Sequence, residues 1–100
     1  MTTDLQLLRQ RINAADERIR EHVRQTYLEH SPVLSDLCAG SVFCKLENLQ
    51  HTGSFKLRGA FNKVLSLTEA ERNKGIVTSS SGNHGAGVAY VLNALKQSGT

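Results

Sequence analysis

Two short strand-like runs, each followed by a turn and then a helical stripe, constrain this chain more than any other feature. Val42, Cys44 and Leu46 alternate with Phe43 and Lys45, which is the period-two pattern of a strand. Thr52-Gly53-Ser54 then turns the chain, and Ser54 is placed to cap a helix whose apolar stripe is Leu57, Ala60, Phe61, Val64 and Leu65. Ile76-Val77-Thr78 reads as a further strand. From about Gly85 a last helix carries Val88, Val91, Leu92 and Leu95 on one side. Between the two units, Thr68-Glu69-Ala70-Glu71 has the form of a capping box, with Gly75 as the stop of a short helix. The order strand, helix, strand, helix implies an α/β chain built on a right-handed, parallel βαβ unit.

Upstream of this, Leu5, Leu8, Ile12, Ala15, Ile19 and Val23 recur at three- and four-residue steps, so an amphipathic helix is expected over 4–24. A connection containing Pro32 and Gly40 leads to the first strand. The organisation is therefore a helix within 1–25, then a βαβ-bearing region over 41–100. Ser98-Gly99-Thr100 falls where such an architecture would start its next strand, so the sheet is expected to be incomplete. Either the chain is part of a longer protein or a partner supplies what is missing. Alone, it is expected to be partly folded or prone to association, with Ile76, Val77, Val88 and Leu92 partly uncovered.

Composition narrows the function classes. Hydrophobic residues at 39% and charged residues at 21% suit a globular chain rather than a disordered one. The net charge of +3 raises the question of nucleic acid. However, Arg9, Arg11, Arg18, Arg20 and Arg24 are interleaved with Asp16, Glu17 and Glu21, and no aromatic ladder accompanies them, so a solvated helix face is expected. Cys38 and Cys44 match no zinc spacing and the four histidines are scattered, so no metal is expected. With no membrane-length apolar run and no secretory signal pattern, the expectation is a cytoplasmic protein with reduced thiols.

Chemistry concentrates in two places. Lys56 follows the Thr-Gly-Ser turn at the start of a helix, beside Phe55 and Leu57. Apolar surroundings disfavour the charged form of a lysine and make its amine a better nucleophile. The loop Ser79-Ser80-Ser81-Gly82-Asn83-His84-Gly85 precedes the last helix, where free backbone N–H groups and the helix dipole favour an anion. A carbonyl-binding lysine facing an anion-binding loop is the arrangement these residues suggest.

The run from Lys45 to Ala60, taken together with Ser79 to Gly87, resembles the fold-type II pyridoxal-phosphate enzymes. Within them it is most similar to the serine/threonine dehydratase (threonine ammonia-lyase) and serine racemase branch. The similarity runs over nearly the whole chain, as an N-terminal portion of such an enzyme. Thr26-Tyr27-Leu28-Glu29-His30-Ser31-Pro32-Val33-Leu34 follows the upstream family pattern Thr-Pro-Leu-x-x-Ser-x-x-Leu, except that Tyr27 replaces the proline. That departure alters local rigidity more than chemistry. Leu57 stands where cysteine and threonine synthases usually carry aspartate, and Ser81 where many threonine dehydratases have alanine.

The resemblance implies that Lys56 carries pyridoxal phosphate as a Schiff base, with Phe55 packing near the cofactor and Asn83 bonding its ring hydroxyl. Ser80, Ser81, Gly82 and His84 would belong to the loop that holds the substrate carboxylate. The implied reaction is deamination of L-serine or L-threonine by β-elimination, giving a 2-oxo acid and ammonia, with Lys56 taking the α-proton. Ser81 could serve as a base on the opposite cofactor face, so racemisation of serine or dehydration of hydroxyaspartate stays open. The family's glycine-rich phosphate cradle is expected beyond residue 100. A homo-oligomer is expected of the complete enzyme, and a truncated, non-catalytic remnant is the alternative.

Overall fold

The computed structural model describes residues 3–100. Helix α1 (Asp4–Ile19) opens with a complete capping box, in which the Thr3 side chain accepts from the Gln6 N–H and the Gln6 side chain accepts from the Thr3 N–H. It ends at Ile19, five residues short of the expected 24, because the chain turns there, with the His22 N–H donating to the Ile19 carbonyl at 2.8 Å. The turn carries Val23 onto the core and stacks the His22 ring on Phe61 at 5.1 Å. Val23 thus keeps the helical spacing without being helical. Only Ile19 of the helix is buried; Leu5, Leu8 and Ile12 remain exposed, so most of its apolar stripe has no partner here.

The segment expected to be a plain connection is structured. Strand β1 (Leu28–His30) pairs antiparallel with β2 (Phe43–Lys45), in the register Leu28 with Lys45, Glu29 with Cys44 and His30 with Phe43. Helix α2 (Pro32–Cys38) lies between them. Ser31 caps it by accepting from the Leu34 N–H, Pro32 occupies the first turn, and Ala39 ends it in the left-handed region at φ 49°. β1 escaped notice because its three residues are all exposed and show no alternation.

A single 3₁₀ turn (Glu47–Leu49) leads to α3 (Lys56–Ser66), then α4 (Glu69–Asn73) and α5 (Asn83–Ala94). α4 begins with the expected Thr68/Glu71 capping box, and Gly75 follows it at φ 86°. The core lies where α3 meets α5: Leu57, Ala60, Phe61, Val64, Val88 and Val91 are buried there, joined by Ile19 of α1. Val88 was expected to stay partly uncovered; the close pairing of α5 with α3 buries it instead. Val77 is 83% exposed, as an unfinished sheet requires.

The expected parallel unit around α3 is not formed: β2 pairs with β1 alone, and Ile76–Thr78 contributes a single bridge residue, so parallel pairing among the described residues flanks α5 instead. Ile76 forms a parallel bridge with Gly99, and α5 is the crossover between the paired segments. The Ile76 N–H donates to Ser98, while the Thr100 N–H donates to Ile76 and the Thr78 N–H to Thr100. Ser98–Thr100 is therefore held alongside Ile76–Thr78 by one parallel bridge and its flanking hydrogen bonds.

Candidate active site: a lysine beside an anion-binding loop

Lys56 is the first residue of α3, and Ser54 sits just before it with its side chain buried. The Ser54 hydroxyl accepts from the Lys56 N–H at a long 3.4 Å. The turn preceding the lysine is fixed from two sides. Gln50, 3% exposed, accepts from the Arg24 N–H at 3.1 Å and donates to the Arg24 carbonyl at 2.7 Å. The next residue, His51, stacks on Tyr90 of α5 with ring centroids 5.2 Å apart.

Glu47 is the electrostatic hub behind this turn. It accepts from the Thr26 hydroxyl at 2.6 Å and from Arg58 Nε at 2.8 Å, with Lys45 3.6 Å away. Burial pushes its carboxyl upward, but the hydrogen bonds from Arg58 and Thr26 and the charge of Arg58 outweigh that and bring it down to about 2. Glu47 thereby ties the β1–β2 ribbon to the first turn of α3. Sequence reasoning passed over Glu47, Arg58 and Gln50; the mixed charges around the Thr-Gly-Ser turn were the signal available, since a half-buried acid is stabilised by a cationic partner.

The loop lies close to the lysine for a packing reason. Gly87, in the second turn of α5, faces the backbone of α3: a Cβ there would stand 3.4 Å from the Leu57 nitrogen and 3.5 Å from the Lys56 carbonyl carbon. Having no side chain at Gly87 lets the start of α5 approach the start of α3. Ser79, Ser80, Ser81, Gly82, Asn83 and His84 are all exposed at that end. The amine of Lys56 lies 5.5 Å from the centroid of the Phe55 ring, which is 64% exposed. Lys56 is itself exposed, so the apolar enclosure expected around it is not formed by this chain's described residues.

Donors and acceptors within the loop are divided. The Ser80 hydroxyl accepts from the N–H groups of Gly82 and Gly85, whereas the N–H groups of Ser81, Asn83 and His84 meet no protein acceptor among the described residues. His84 also lines an apolar cleft of about 410 Å³ with Gly59, Ala60, Val64, Ile76 and Val88. An exposed primary amine, an adjacent aromatic face, a side-chain amide and a set of open N–H donors fit an aromatic aldehyde bearing a ring hydroxyl, together with a carboxylate. No group of three or more metal-ligating side chains occurs among the described residues. No helix among them is long and apolar enough to cross a membrane.

Comparison with known proteins gives the same direction. The family profile described as "Pyridoxal-phosphate dependent enzyme" matches residues 19–98. The chain is 46% identical over 89 residues to the catabolic L-threonine dehydratase TdcB of Escherichia coli (strain K12), covering 89% of this chain and 27% of that protein. It is 49% identical over 78 residues to the L-threonine ammonia-lyase of Thermotoga maritima, covering 78% of this chain and 20% of that one. The crystal structure of serine racemase from Dictyostelium discoideum superposes with a TM-score of 0.82 at 39% identity, over 90% of this chain and 29% of that chain. The fold is thus that of a part of these enzymes, and the chain spans under a third of their length.

Proposed function

We propose, from the premise that this chain belongs to the pyridoxal-phosphate dependent enzymes, that it supplies the lysine and the carboxylate loop of a serine/threonine dehydratase. Residues 1–100 are read as the N-terminal portion of that enzyme's catalytic domain, acting on a small amino acid and not on nucleic acid. The observation that carries this is the seating of Gly87 against the backbone of Lys56 and Leu57, which brings the start of α5, with its open N–H groups, against the start of α3. The complete enzyme is further read as a cytoplasmic homo-oligomer.

In this reading Lys56 holds pyridoxal phosphate through its Nζ. Phe55 gives the ring an apolar neighbour, and the Asn83 side-chain amide bonds the ring hydroxyl. The bound cofactor supplies an electron sink that makes the α-proton of an amino acid removable. Ser81 and His84, in the loop that Ser80 braces through the Gly82 N–H, would orient the substrate through its carboxylate. Lys56 Nζ, as a free amine, would accept the α-proton and return it to the departing β-hydroxyl, which leaves as water. Hydrolysis of the released imine consumes one water, so the net change is one amino acid to one 2-oxo acid and one ammonia.

Ser81 supports a second reading. Its hydroxyl is exposed and makes no hydrogen bond among the described residues, unlike that of Ser80, so it is free to act as a base on the opposite face. A serine racemase is among the structures that superpose. Ser81→Ala should then abolish serine racemisation and spare dehydration; joint loss of both would assign Ser81 to binding.

The deciding experiment for the lysine is borohydride reduction of the cofactor-loaded protein followed by peptide mapping. The pyridoxyl group is expected on Lys56. A label on Lys45 or Lys63 would overturn the assignment.

A further inference from the structure

The loop's hydroxyls are not equivalent, and the difference points to one residue. Gly82 stands at the N-cap of α5, the position where a side-chain oxygen ordinarily accepts from the first turn, and glycine has none to offer. Ser80, two residues earlier, provides the missing acceptor. Its Oγ receives the N–H of Gly85 at 3.0 Å and the N–H of Gly82 at 3.3 Å. The chain is folded tightly to make this possible: a Cβ on Gly85 would lie 2.7 Å from the Ser80 carbonyl oxygen and 3.3 Å from the Ser80 Cβ. Gly85 thus admits the serine, and the serine takes the N–H donors of both glycines.

What remains after this sorting is the set of N–H groups at Ser79, Ser80, Ser81, Asn83 and His84, with no protein acceptor among the described residues. With both lone pairs engaged by these two N–H groups, the Ser80 oxygen is held in place in the loop, and its O–H is the one donor it retains. We infer that Ser80 is a positioning residue: by taking the Gly82 and Gly85 donors it fixes which backbone N–H groups are left for the substrate. The inference rests on the dehydratase reading for the identity of the anion, and on the hydrogen bonds alone for the loop.

Two measurements test it. Amide hydrogen exchange of the full chain without ligand should quicken about tenfold at Gly82 and Gly85 in Ser80→Ala, the loss expected for one shared acceptor. Ser80→Thr, which keeps the hydroxyl, should return to within about twofold, and Ser81→Ala should leave both amides unchanged. L-Alanine, which has the carboxylate and no leaving group, is then titrated against the Asn83 and His84 amide resonances. Its dissociation constant should rise about tenfold in Ser80→Ala and recover in Ser80→Thr.

Unchanged exchange in Ser80→Ala would overturn the inference, because the hydroxyl would not be holding the loop. Quickened exchange with undiminished L-alanine binding would overturn it equally. A wild-type protein that takes no pyridoxyl group on Lys56 would sink the dehydratase reading instead, while the exchange rates and the titration still decide the role of Ser80.

Discussion

Gly87 of α5 lies against Leu57 of α3 so closely that a Cβ would stand 3.4 Å from the Leu57 amide nitrogen. That distance is ordinary van der Waals contact for one methyl group and leaves no room for a branch. Gly87→Ala should therefore change stability by less than about 1 kcal/mol, since the gain in helix propensity offsets the closer contact. Gly87→Val should push the helices apart and cost about 1–3 kcal/mol. Denaturant melts of the two variants check this, and equal losses would mean that the α3–α5 contact is looser than described.

Gly85 is the opposite case. Its Cβ position falls 2.7 Å from a backbone oxygen, which has no free rotation to give way. Gly85→Ala should displace Ser80 from the first turn of α5 and destabilise the protein by about 1–3 kcal/mol, although alanine is the better helix former. The amide resonances of Ser80 to His84 should shift with it. A stabilised variant would refute the geometry of the loop.

Glu47 makes the protein acid-sensitive in a definite range. Its carboxyl titrates at about 2 in the folded chain against an ordinary 4.5, so the folded state favours the ionised form. The stabilisation is complete above the ordinary value and is lost as pH falls through the folded one. Glu47→Gln should be less stable by about 1–2 kcal/mol at neutral pH, the ion pair being partly screened by solvent. That difference should shrink between pH 4.5 and about 2, the window set by the two values. Paired melts across that range supply the test.

Gln50 is buried and spends both ends of its amide on the Arg24 backbone. Gln50→Ala should cost about 1–3 kcal/mol, because it leaves an N–H and a carbonyl of the main chain without partners. Gln50→Glu should also destabilise, since a carboxylate accepts but cannot donate to the Arg24 carbonyl. If the alanine variant is neutral, water reaches that backbone and the turn before Lys56 is held by His51 and Tyr90.

Much of this architecture is legible in the residues, and what is not has physical causes. The stripes Leu57, Ala60, Phe61, Val64 and Val88, Val91 are buried as their spacing demands, because α3 and α5 pack face to face and Ile19 of α1 closes the same core. The capping box at Thr68 is local and reads directly. The antiparallel ribbon is not legible: Leu28–His30 is wholly exposed, so no alternation marks it, and its pairing is written in a register with residues far along the chain. Leu5, Leu8 and Ile12 show the converse, a correct helical period whose apolar face finds nothing to cover it here. At the site, the resemblance singled out Lys56 and the serine loop, but the division of labour between Ser80 and Ser81 depends on bond directions that no spacing encodes.

The parallel bridge between Ile76 and Gly99 bears on the order of assembly. The two residues can meet only after the chain has run the length of α5 and returned, so the pairing closes a long loop for few hydrogen bonds. Contacts between α3 and α5 close a comparable stretch of chain, but they bury the larger apolar side chains and so repay the closure far more. Helix pairing should thus precede strand pairing, with α5 acting as the template on which Ser98–Thr100 is delivered to Ile76. The same asymmetry makes those last residues the first to open, and a strand that joins latest is the one most readily exchanged for another of the same kind.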